Sequence, residues 1–176
     1  MRHGLMALLV LALAASAAAQ NREEHEKTEA AEGAKASEAL APALEEAKVS
    51  LASGLRAAEK EGRPISGKFE LEDGKLQLSV YTMKGDTFSE VIVDHRTGKI
   101  AKSERITGGE DLAAAQKQSQ AMARTKHALR EAIARAEKAN PGFHAVKVVP
   151  QVEDGKVQAD VTLVNGSTSK SVDESL

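Results

Sequence analysis

Apolar residues at Leu44, Leu51, Leu55 and Ala58 recur in the same mutual spacing at Met122, Leu129, Ile133 and Ala136. That spacing lines one face of an α-helix. It predicts one amphipathic helix over residues 40–61 and a second over residues 110–139. Pro42 suits a first helical turn. Gly62 and Pro64 end the first helix, and Asn140-Pro141-Gly142 ends the second. Behind each stripe the period changes to two. Ile65, Phe69 and Leu71 oppose Ser66, Lys68 and Glu70; Leu76, Leu78, Val80 and Thr82 oppose Gln77, Ser79 and Tyr81. Alternation of this kind reads as half-buried strands. A third strand is expected over 88–93, and a weak fourth begins at Ile100.

The strands are punctuated by turn residues. Asp73-Gly74 between two alternating runs predicts a type I′ hairpin, whose two central residues need positive φ. Lys84-Gly85-Asp86 and Asp94-His95-Arg96-Thr97-Gly98-Lys99 supply the next two turns. Much of this returns later in the chain. Glu72-Asp73-Gly74-Lys75-Leu76-Gln77 reappears as Glu153-Asp154-Gly155-Lys156-Val157-Gln158, and Ala58-Glu59-Lys60 as Ala136-Glu137-Lys138. Val146, Val148 and Val152, then Val157, Val161 and Leu163, continue the second copy. Because Pro150 cannot donate to a ladder, its strand is expected at a sheet edge. The polar residues 167–176 lack a counterpart of the third turn, so the second sheet is expected to be incomplete.

The resulting expectation is an α+β chain of two tandem modules, residues 40–106 and 107–176. Each is one α-helix packed on a three- to four-stranded antiparallel meander. The long helix over 110–139 is expected to project past its own sheet at its Ala- and Gln-rich N-terminal half, and to touch the first module or space the two.

Residues 1–19 have a short basic start, an apolar run from Leu5 to Ala15 and a small-residue end at Ser16-Ala17-Ala18-Ala19, the marks of a secretory signal peptide. The run is shorter than the roughly 20 residues a spanning helix needs. Without a cysteine at the cleavage point, a lipid-anchored precursor is excluded. Residues 20–39 are charged and small and read as a disordered polar tether. The expected destination is periplasmic or extracellular, with membrane contact only through the signal peptide before cleavage. An exported chain with no cysteine has no disulfide to constrain its unfolded state. Removing Arg2 with the signal leaves 23 basic against 26 acidic residues, mixed in sign. Clustered basic residues for nucleic acid are missing, and aromatics, at 2%, are too few for stacking platforms.

No residue pattern points to catalysis or a cofactor, and none of the residues is assigned as catalytic, cofactor-binding or metal-ligating. Gly62-Arg63-Pro64-Ile65-Ser66-Gly67-Lys68 approaches a phosphate loop, but Phe69 stands where a magnesium-ligating hydroxyl belongs, and the order is helix then strand. His25, His95, His127 and His144 are dispersed, whereas a metal site needs converging ligands. His25 lies among Glu23, Glu24 and Glu26 in a solvated charge run. There is no G-x-S-x-G and no cysteine nucleophile, and the carboxylate pairs Glu45-Glu46 and Glu72-Asp73 fall on exposed faces or turns. The chain is expected not to be an enzyme.

Helix, strand, Asp-Gly turn, alternating strand, third strand and then Val93-Asp94 with Thr97-Gly98-Lys99-Ile100 resembles the PepSY domain, here in tandem with a degenerate second copy. The residues that carry the resemblance are the turn positions Asp73, Gly74, Asp94, Thr97 and Gly98, with Asp154 and Gly155 in the second copy. Asp94 can accept bonds from backbone amides of its turn and Gly98 can take φ > 0. The resemblance implies an exported module that acts by binding another protein or peptide, regulation of a secreted peptidase in trans being the specific form. The sheets are expected to do the binding, by strand addition at an edge or through an outer face. Two other readings are a small-ligand or metal-binding envelope protein and a structural envelope protein without a discrete ligand.

Overall fold

The computed structural model describes residues 40–176; the expected signal peptide, the tether and His25 lie outside them. Helix α1 (Leu51–Ala58) leads into strands β1 (Arg63–Glu72), β2 (Lys75–Lys84), β3 (Thr87–Val93) and β4 (Ile100–Arg105). Helices α2 (Gly109–Met122) and α3 (Leu129–Ala139) follow, then β5 (His144–Glu153), β6 (Lys156–Asn165) and β7 (Thr168–Ser175). The fold is α+β and antiparallel. The seven strands form one sheet in the order β4-β3-β2-β1-β5-β6-β7, larger than the meander expected of either module.

The junction lies between β1 and β5, where Gly67 pairs with Val148 and Lys68 with Lys147. The ladders on either side repeat each other. Glu72↔Lys75 and Ser66↔Tyr81 of β1–β2 become Glu153↔Lys156 and Lys147↔Thr162 of β5–β6. Leu78↔Val93 of β2–β3 becomes Ala159↔Glu174 in the next pair along from Gln158↔Ser175, so the third strand keeps its register as well. Each copy has a register shift at the same place, between Pro64 and Ser66 in β1 and between Ala145 and Lys147 in β5. At the junction Gly67 therefore faces its own counterpart, Val148, as in a two-fold interface between like surfaces.

This topology corrects the placement of Pro150. Strand β5 is central, with β1 on one side and β6 on the other. Proline is accommodated because the β1–β5 ladder ends at Val148, two residues before it, where β1 has its irregularity at Ile65. The second half is also less truncated than its polar sequence suggests. Strand β7 pairs with β6 through all eight of its residues, and among the described residues no strand stands beyond it as β4 stands beyond β3.

Both expected long helices are interrupted, at equivalent points. Residues 40–44 are helical and the chain then leaves the helix before α1. The Lys48 and Val49 amides donate to His95 O at 2.8 and 3.0 Å, which ties this stretch to the β3–β4 turn. Ser50 caps α1 by accepting from Ser53 N, a side-chain partner for an otherwise orphaned helix amide. In the second half α2 stops at Met122 and α3 starts at Leu129. Between them, Thr125 Oγ1 accepts from His127 N at 3.0 Å, and Thr125 O from Arg63 at 3.0 Å. No proline or glycine marks either break, which is why periodicity alone runs through them.

Helices α1 and α3 lie side by side on one face of the sheet, each against the strands of its own half and across the junction. A Cβ on Gly67 would stand 3.0 Å from Leu55 Cδ2, so Gly67 marks α1's close approach. Leu51, Leu55, Leu78, Val80, Ile133, Val148, Val161 and Leu163 are buried between the helices and this face. Helix α2 lies on the opposite face. Ser66, adjacent to Gly67 and pointing the other way, donates to Gln118 at 2.8 Å, and Tyr81, paired with Ser66, donates to Asp111 at 2.6 Å. The Ala-rich half of the expected long helix thus crosses the back of the sheet, with Ala115 fully buried.

Candidate functional site

The turn residues build structure. Asp73 and Gly74 have φ of 49° and 73°, and Asp154 and Gly155 of 47° and 78°, the double left-handed pair of a type I′ hairpin. Asp94 Oδ1 accepts from the Arg96 and Thr97 amides at 2.9 and 2.7 Å. These bonds, from Thr97 first and then Arg96, hold its carboxyl below the usual range. Gly98, at φ 72°, donates to Asp94 O. The first and third of these turns meet at one end of the first half, where Asp73 and Asp94 line a common open recess of about 390 Å³ with Gln77 and His95, whereas Asp154-Gly155 lies apart in the second half.

A cleft of about 490 Å³ lies at one end of the junction between halves. Residues 41–50 form one wall. The other comes from Glu137 of α3, the start of β5 and the β6–β7 turn. Its lining mixes Leu44, Val49, Phe69 and Val146 with Lys48, Glu137, His144 and Asn165. Glu137 is fixed, since one of its oxygens accepts from Ala145 N at 2.9 Å. A recess with apolar lining and a few oriented polar groups is the usual form of a binding site. The sequence hid it because its walls come from segments about 100 residues apart, and none carries a recognisable motif.

On the back of the first half lies a polar groove of about 370 Å³, lined by Glu70, Glu72, Glu90, Glu104 and Asp111 with Lys68 and Lys102. Tyr81 stands in it. Burial, then its bond to Asp111, pushes its hydroxyl well above the usual range, so it remains a donor. Ser79 likewise donates to Glu90. Gly67 lies under α1, whereas Ser79 and Tyr81 point to the opposite face, the one that carries α2.

The described histidines do not converge. His95 lies in the β3–β4 turn with Nδ1 buried and without a protein partner among the described residues. His127 lies in the break before α3, 3.0 Å from Glu131, and His144 begins β5 at the cleft. Among the described residues no three His, Cys, Asp or Glu side chains are grouped to hold a metal ion. The near-phosphate-loop sequence enters β1 at Arg63, so no helix N-terminus follows it. No described helix is long and apolar enough to cross a membrane.

The sheet has two outer strands among the described residues. Strand β4 is six residues long with a register shift between Ile92 and Val93 in its ladder; β7 has eight residues and an unshifted ladder. No family model, curated protein or solved structure matches the chain.

Proposed function

We propose that the chain is an exported, non-enzymatic module that binds a protein or peptide, and that its two halves are tandem PepSY-like units. The observation that carries the binding reading is the cleft at the junction of the halves, with apolar lining beside oriented polar groups. The recurrence of strand registers supports the tandem reading. Regulation of a secreted peptidase in trans is the specific form of this proposal, and it rests on the turn sequences. An extended segment could seat an apolar side chain between Leu44 and Val146, with its backbone near Lys48 and Asn165.

The test is selection of a random peptide library on the mature protein, followed by inhibition assays against co-secreted peptidases. Peptides sharing an apolar anchor are expected to lose binding to Ala47→Trp, which places an indole in the cleft, and to retain it with Lys102→Ala on β4. Selection of no peptide, or binding indifferent to Ala47→Trp, defeats the cleft reading; absence of inhibition defeats only the peptidase form. A volume of about 490 Å³ also suits a small molecule, the second reading. Isothermal titration with calcium, zinc and copper addresses its metal-binding form, which requires heat that disappears when His144 is replaced.

A further inference from the structure

We propose that β7 is a self-association edge, pairing antiparallel with β7 of a second copy about a two-fold axis at Val172. The argument begins with the phase of the existing ladder. The β6–β7 hairpin closes at Asn165↔Thr168 around a two-residue loop, and the closing pair of such a hairpin is hydrogen-bonded. Alternation then directs the backbone groups of Thr168, Lys170, Val172 and Glu174 at β6. The observed bond from Leu176 N to Val157 O, at 3.0 Å, continues that phase. The amides and carbonyls of Ser169, Ser171, Asp173 and Ser175 therefore point outward, where no described strand meets them.

In the first half the corresponding outward side of β3 is covered by β4. The place on β7 is the one at which this architecture already accepts an antiparallel strand. The two edges of the sheet also differ in openness. Strand β4 is short and its ladder is interrupted, both recognised ways of blunting an edge, whereas β7 has no proline and an uninterrupted ladder.

Charge selects the occupant and its register. Around a two-fold axis at Val172, Ser171 faces the partner copy's position 173 and forms a hydrogen-bonded pair, so all four outward residues of each strand are satisfied. The same register sets Lys170 opposite position 174 of the other copy, a Glu, and does so twice. Opposite charges directly across a ladder favour pairing. Moving the axis to Ser171 keeps the hydrogen-bond phase but sets Lys170 opposite a valine and loses both charge pairs. Within its own chain Lys170 reaches Asn140 and lies 4.1 Å over the Phe143 ring, and Glu174 accepts from Arg135. Both side chains are thereby held on the α3 face, where a partner strand would meet them.

The test is sedimentation equilibrium of the full mature chain from micromolar to millimolar concentration. The expected result is a mass that doubles with concentration. Ser171→Pro, which removes an outward amide at an edge position where proline is tolerated, should leave the monomer at every concentration. Lys170→Glu should weaken association at least tenfold, and Lys170→Glu combined with Glu174→Lys should restore it. Circular dichroism confirms that each variant is folded before weighing. A chain monomeric throughout, a dimer indifferent to Ser171→Pro, or a double exchange that fails to restore association overturns the proposal. A monomer whose β7 instead captures an unrelated extended peptide also overturns it.

Discussion

Replacing Asp160 by Asn should stabilise the protein at neutral pH. Asp160 lies on β6 with Oδ1 buried and without a protein partner among the described residues. The β6–β7 register sets it directly across from Asp173. Its neighbours on the adjoining strands are Lys147, which attracts it, Ser171, which donates to it, and Asp173, which repels it; burial dominates and raises its pKa. Like charges opposite each other in a ladder cost about 0.2–1 kcal/mol; the amide of Asn leaves the same buried atom unpaired, so the rest of the gain comes from removing a partly desolvated charge. Partial exposure and the loss of the Lys147 attraction reduce the gain, leaving about 1 kcal/mol, or roughly 3 °C in Tm for a chain of this size. The pH dependence separates this from a packing effect. A folded pKa above the unfolded one means that the native state is favoured by protonation, so the penalty is absent below the unfolded value near 3.8. It grows as pH rises through the folded value and is complete above it. The benefit of Asp160→Asn should therefore be full near pH 7 and fade on acidification. Urea unfolding followed by circular dichroism at the two pH values measures it. Asp173→Asn should gain less, because the acceptor of the 3.0 Å bond from Gln151 Nε2 changes from a carboxylate to a weaker neutral amide oxygen, and the double variant should gain less than the sum. A loss of stability in Asp160→Asn, or an equal gain at both pH values, refutes the reasoning.

Ile133→Ala should cost about 2–5 kcal/mol by opening a cavity in the shared core, while Leu71→Ala, at 39% exposure on a hairpin end, should cost about 1 kcal/mol or less; equal costs in urea unfolding would deny a core centred under α1 and α3. Gly54→Ala pits a helix-propensity gain of about 1 kcal/mol against overpacking of about 1–3 kcal/mol. The new Cβ would stand 2.4 Å from Leu78 Cδ2, so a fall in Tm is expected and a rise contradicts the close approach. Gly74→Ala meets no atom within 4 Å but retains φ near 73°; it should cost about 1 kcal/mol from backbone strain, read as a lower urea midpoint with an unchanged m-value. Asp94, whose pKa is lowered by amides of its turn, should add stability above the unfolded value near 3.8 and lose it as pH falls through the lower folded one. A carboxyl carbon titration by NMR with its midpoint at or above 3.8 would contradict that hydrogen bonding.

Strands and turns were the most legible elements. Asp73-Gly74 and Asp154-Gly155 require left-handed backbone whatever surrounds them, and the residues flanking them alternate on their own account. The stripes Leu51-Leu55-Ala58 and Leu129-Ile133-Ala136 likewise identify the helical faces that become buried. The helix breaks were not legible, because they are set by partners distant in sequence: His95 holds the amides of Lys48 and Val49, and Arg63 reaches Thr125. Pro150 misled for a related reason, since a missing donor excludes a strand from the sheet centre only where the neighbouring ladder would have used it. The cleft could not be read at all, because Leu44, Phe69 and Val164 become its common lining only after the halves meet.

What the sequence determined by itself is the α+β class, the hairpin turns and the buried helical stripes, since hydrophobic period and turn chemistry act over a few residues and need no distant partner. Tertiary structure alone decided that β1 and β5 join the halves into one sheet, that α2 crosses its back, and that β4 and β7 are its outer strands among the described residues. Those outcomes depend on the Gly67↔Val148 pairing, formed between residues 81 positions apart whose local patterns contain no record of each other.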